Sequence, residues 1–163
     1  MSCNLVFQSF SAFSSGIIYG LLIKSYSDNP SLAIAEKDNW KKYDEEVFAH
    51  PDSVGKCGFI SVVNNEPVGF ASWDPRNRPE FAIIGHNCVL PVHRGKGYGK
   101  AQVKEILKRL KAEGFVKVKV STGADEFFLP ARKMYESCGF KETSRSKHPT
   151  LSGFEIVCFE ATL

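Results

Sequence analysis

The sequence has no C-x-x-C pair, no internal repeat, no low-complexity stretch and no apolar run long enough to cross a bilayer. Its cysteines, Cys3, Cys57, Cys88, Cys138 and Cys158, are odd in number and widely spaced. That pattern argues against a disulfide framework and against a zinc site, so buried free thiols in a reducing compartment are expected, and no metal. The longest early apolar stretch, Gly16 to Ile23, stops at Lys24, well short of the roughly 20 residues that a spanning helix needs. No Lys or Arg precedes it to form the charged start of a secretory signal. A cytoplasmic protein without a membrane partner is the expectation. Excess charge is scarce too. A net charge of +3, without clustering, does not make a nucleic-acid footprint.

What is present is ordinary for a globular domain. The chain has 163 residues, 43% of them hydrophobic and 24% charged, which suits one domain over residues 1–163 with a sizeable core. A short strand is expected around Asn4 to Phe10. Helical spacing of Tyr19, Leu22, Ile23 and Tyr26 follows, then a polar helix from about Leu32 to His50, ended by Pro51. Phe59 to Val63 and Val68 to Trp73 read as strands joined by an Asn64-Asn65-Glu66-Pro67 turn. Phe81 to Leu90 is nearly all apolar apart from His86 and Asn87, as in a strand buried on both faces. Val103, Ile106, Leu107 and Leu110 mark an amphipathic helix from Gly99 with Gly114 as its stop, and Val116, Val118 and Val120 alternate with lysines as a strand. Ala131, Met134, Tyr135 and Cys138 repeat the helical spacing, with Pro130 suited to the first turn and Gly139 to the end. Phe140 to Thr143 and Phe154 to Glu160 complete the strands, separated by a polar loop through Ser144 and His148. The strand–helix–strand unit from Phe81 to Ser121 implies two parallel neighbouring strands.

Between the apolar strand and the basic helix lies Arg94-Gly95-Lys96-Gly97-Tyr98-Gly99-Lys100. A strand, a glycine-rich turn and a helix N-terminus in that order form an anion site, because bare backbone lets several N–H groups face one phosphate while the helix dipole favours its charge. Two nucleotide loops fail on spacing. A Walker A loop needs Gly at Arg94 and Ser or Thr at Ala101; a dinucleotide turn needs Gly at Lys100. A phosphate-bearing ligand bound in another mode is expected, the plainer reading being a turn whose lysines are merely solvated.

The turn resembles the Q/R-x-x-G-x-G/A signature of the GNAT N-acetyltransferase superfamily, preceded by Val89-Leu90-Pro91-Val92-His93 as a strand end. A second block, Pro130 to Phe140, is similar to the family's later A-x-x-x-Y-E-x-x-G-F signature. The resemblance implies an α/β (α+β) fold with a mixed, mostly antiparallel central sheet, a splayed parallel strand pair and flanking helices. It implies acetyl-CoA as cosubstrate, its pyrophosphate on the amides from Gly95 to Gly99, with Arg94, Lys96, Tyr98 and Lys100 in the same turn. Backbone groups at Val89 and Leu90 would pair with the pantetheine arm, and a strand-end N–H would polarise the thioester carbonyl. Tyr135 would be the general acid toward the departing thiolate, since a phenol of reference pKa near 10 holds a proton to give. Without the resemblance, its helical spacing reads as core.

One position departs from the family pattern: Phe128 stands where many members carry Asn, and would wall the thioester or acceptor pocket. His86 and Glu80 are the candidate general bases, although a His inside an apolar strand reads equally as a satisfied buried residue. Cys88 raises a covalent route, discounted because no His is placed in sequence to activate it. The expected reaction is direct acetyl transfer to a primary amine of a small molecule or a protein N-terminus. The rival is a non-catalytic CoA-binding sensor or regulatory module. Trp73, Asp74, Arg76 and Arg78 read as a solvated turn rather than an acceptor pocket, and a homodimer is compatible with the family.

Overall fold

The structure is a computed structural model and describes residues 4–163, so Cys3 lies outside it. Four α-helices and seven strands follow the mixed order expected. They are β1 (Leu5–Gln8), α1 (Ile17–Ser25), α2 (Pro30–Ala49), β2 (Gly58–Val63), β3 (Glu66–Asp74), β4 (Phe81–Val89), α3 (Tyr98–Ala112), β5 (Lys117–Gly123), α4 (Leu129–Ser137), β6 (Lys141–Lys147) and β7 (Glu155–Thr162). The strands order β1-β2-β3-β4-β5-β7-β6 in one sheet. The pairings of β1 with β2, β2 with β3, β5 with β7 and β6 with β7 are antiparallel. β4 and β5 are the expected parallel neighbours, registered from Phe81 opposite Lys117 to Ile83 opposite Lys119.

The described residues form two compact units, 4–72 with 86–102, and 73–85 with 103–163. In the first, β2 and β3 alternate so that Ile60, Val62 and Phe70 join Phe10, Ile18, Leu22, Trp40, Val47 and Cys88 in a core under α1 and α2. The β2–β3 hairpin turns on Asn64 and Asn65, both at positive φ (51° and 64°), the pair of left-handed residues that a tight two-residue hairpin requires. Asp44 of α2, only 2% exposed, reaches the start of α1. Its carboxylate accepts from the amides of Gly16, Ile18 and Tyr19 and from the Ser15 hydroxyl at 2.7–3.0 Å. Those amides are among the donors that a helix start leaves without partners, and the negative charge suits the helix dipole.

The second unit has a more ordinary core. Val103, Ile106 and Leu110 of α3 are buried, as are Val118, Val120, Val157 and Phe159 of the strands. Arg78 in the β3–β4 turn pairs with Glu113 at 2.7 Å and lies over the Phe115 ring, so that segment is a surface turn fixed at its rim. One expectation needs correcting. Ser144 to Lys147 do not begin a loop but continue β6, paired with β7 as far as Lys147 opposite Glu155. All seven residues of β6 are exposed. A strand at the sheet edge with neither face covered leaves no apolar alternation to read, and its charges are those that protect an open edge from pairing with another chain.

Candidate active site

The segment after β4 is built around the turn. Pro91–His93 form one short helical turn, and Gly95 and Gly97 then take φ of 75° and 84°. A Cβ at either glycine would meet nothing within 4 Å, so what selects glycine is the left-handed backbone rather than crowding. Among the described residues, no backbone carbonyl accepts from the amides of Gly95, Lys96 or Gly97. α3 starts at Tyr98, so the turn leads directly into a helix N-terminus. Exposed Lys96 and half-exposed Lys100 flank the helix start. The donor set suits a phosphate.

Arg94, expected among the ligand-binding residues, has other partners here. Its guanidinium donates to the Asp28 carboxylate at 2.6 Å, to the Ser25 carbonyl, and to the Val89 carbonyl at 3.2 Å. It ties the start of the turn to the α1–α2 connection and to the end of β4. At that strand end, the Leu90 N–H donates to Val68 at 2.8 Å while the Leu90 carbonyl accepts from His93 at 2.9 Å. Since neighbouring peptide groups in a strand point to opposite sides, the Val89 N–H is turned away from β3.

His86, on β4, lies between Tyr43 of α2 and Phe70 of β3, with ring centroids 4.8 and 5.5 Å away. Its own N–H donates to the Ser72 hydroxyl at 3.1 Å. Burial lowers its pKa to about 4, which makes the imidazole neutral at physiological pH. Tyr43 is pushed the other way, to about 12, again mainly by burial. Cys88 is buried and its thiol is raised to about 11 by desolvation, so the nucleophilic thiolate is suppressed, in line with the discounted covalent route.

In the other unit, Tyr135 on α4 is buried, with its ring against Phe140 and Phe159 at 5.5 and 6.2 Å. Pro130 sits in the first turn of α4, and Gly139 at φ 91° follows its end. Phe128 packs its ring on Gly123, where a Cβ would come within 2.3 Å of it. Arg132 donates to the carbonyls of Gly123 and Asp125 at 2.6 and 2.8 Å, fixing the β5–α4 connection. Glu80 is exposed in the turn before β4. Trp73 is buried at the end of β3 rather than in a turn, while Asp74 and Arg76 pair with each other at 2.6 Å.

Two polar residues that organise the first unit were not singled out from the sequence. Asp44 is one, and Gln102 on α3, fully buried, is the other. Asp44 sits in a run of charged helix residues that reads as solvated, and Gln102 adjoins the apolar stripe of its helix without belonging to it. A polar residue beside such a stripe is the one signal that would have raised Gln102.

Comparison with known proteins bears on the family and the fold. Residues 19–140 match the Acetyltransferase (GNAT) family. Human N-acetyltransferase 8 is 27% identical over 77% of this chain, which spans 60% of that protein's length. In structure, a GNAT-family protein from Desulfovibrio desulfuricans superposes with a TM-score of 0.78 at 16% identity, covering 99% of each chain. A GNAT family acetyltransferase from Elizabethkingia anophelis with acetyl-CoA bound gives 0.68 at 18% identity, over 99% of this chain and 100% of that one. Among the described residues no cluster of His, Cys, Asp or Glu is suited to a metal, and no helix is long and apolar enough to cross a membrane. The family match spans both signature blocks and most of the strands, and the chain belongs to the GNAT acetyltransferase family.

Proposed function

We propose that this protein is an N-acetyltransferase that takes its acyl group from acetyl-CoA and delivers it directly to a primary amine. The observation that carries this reading is the turn: two left-handed glycines lead into a helix start, and no described carbonyl accepts from the amides of Gly95, Lys96 or Gly97. Gly95, Lys96, Gly97, Tyr98, Gly99 and Lys100 would hold the pyrophosphate, with the helix dipole adding to the attraction. Arg94 would keep the turn in place from its fixed partners.

When bound, acetyl-CoA supplies a carbonyl activated by sulfur and a thiolate leaving group. The Val89 N–H would donate to that carbonyl, as a preformed dipole that needs no reorganisation. His86 or Glu80 would accept the proton of the incoming ammonium, directly or through water, with His86 the weaker base for its burial. Tyr135 would donate its phenolic proton to the leaving group.

The test is an amine panel, small amines and peptides with free N-termini, assayed by release of free thiol from acetyl-CoA. Amine-dependent release that is lost on Tyr135→Phe, with cofactor affinity retained, supports the reading. Cofactor binding without turnover on any amine would contradict it.

A further inference from the structure

We infer that Gln102 is a positioning residue that fixes the end of β4 against the first turns of α3, and so sets the spacing between the Val89 N–H and the Arg94–Gly99 turn. The inference rests on reading that turn as a coenzyme A cradle. Gln102 lies three residues beyond Gly99, and its amide is engaged on both sides. Nε2 donates to Asn87 Oδ1 at 2.6 Å and to the carbonyls of Phe70 and Cys88 at 3.3 Å. Oε1 accepts from the Ser61 hydroxyl at 2.7 Å. One side chain from α3 therefore bonds to β2, β3 and β4.

Glycine makes this closeness possible. A Cβ at Gly69 would stand 2.2 Å from the Cys88 carbonyl oxygen and 3.0 Å from Gln102 Oε1. A leucine at 102 would fill similar volume, but apolar contacts are not directional and let a helix slide along a strand. A buried amide with every partner in place admits one arrangement, and losing one partner leaves the others unsatisfied. Arg94 provides the other anchor, through its bond to the Val89 carbonyl. The turn is thus pinned at its start by Arg94 and behind its end by Gln102. A ligand touching only the turn is indifferent to the spacing from β4. A ligand that runs from the turn along the strand end is not.

Calorimetric titration of the full chain with two probes separates these cases: acetyl-CoA, and adenosine bisphosphate, which carries coenzyme A's phosphates without the pantetheine arm. Gln102→Leu should weaken acetyl-CoA by about ten-fold and leave adenosine bisphosphate within about two-fold. Asn87→Ala, at a half-exposed position that tolerates change, should show the same selectivity at about three-fold. Equal weakening of both probes, or of neither, in either folded variant overturns the inference. If the wild-type protein binds neither probe, the cradle reading itself fails and this inference falls with it.

Discussion

In the unit that holds the glycine turn, Asp44 and Gln102 are buried and each has several partners; in the other unit the interior is apolar and the charges lie on the outside. Asp44 accepts four hydrogen bonds and Gln102 engages four groups, both out of contact with water. The second unit instead shows pairs such as Arg145 with Glu142 on fully exposed β6. Buried polar networks contribute little net stability for their cost, yet they fix geometry because only one arrangement satisfies them. The difference teaches that positional control sits around the turn, where a spanning ligand would need it, while the second unit relies on packing.

Substitutions at four positions sharpen or break that contrast. Asp44→Ala removes the acceptor from three amides and a hydroxyl and should lower stability by about 3 kcal/mol in urea unfolding, with Asp44→Asn losing less. Tyr135→Phe keeps the ring contacts of the second unit, and turnover should fall by about a hundred-fold with the protein still folded and cofactor affinity retained. His86 gives a pH signature. Its pKa is lowered from 6.5 to about 4, so the folded state holds it neutral while the unfolded chain takes up the proton sooner. Its contribution is complete above pH 6.5 and declines as pH falls from there toward 4. His86→Phe should flatten the unfolding midpoint over that window. Arg145→Gln, at the exposed edge, should not change the midpoint measurably, as expected for a solvent-screened pair.

Much of this arrangement is legible in the residues, and the exceptions have physical causes. Apolar periodicity locates α3 and the buried strands, because one covered face leaves a regular pattern; the glycines at 95, 97, 114 and 139 all take positive φ, where turns and helix ends need them. β6 is read too short, since an edge strand exposed on both faces has no periodicity to display. The turn was visible as an anion cradle. Arg94 was not visible as a clamp, because Ser25 and Asp28 are remote in sequence and only the fold brings them to it. Asp44 and Gln102 escaped for the same reason: a side chain's partners across the chain do not show in local spacing.

The central claim is that the turn binds the phosphates of acetyl-CoA. The most direct measurement is calorimetric titration of wild-type protein and Gly97→Ala with acetyl-CoA, with ATP and NAD as controls. The account predicts saturable micromolar binding of acetyl-CoA alone, about −8 kcal/mol. Gly97→Ala should weaken it roughly ten-fold, because alanine at this left-handed position carries about 1–2 kcal/mol of strain. No binding by folded wild-type protein, or full affinity in Gly97→Ala, would contradict it.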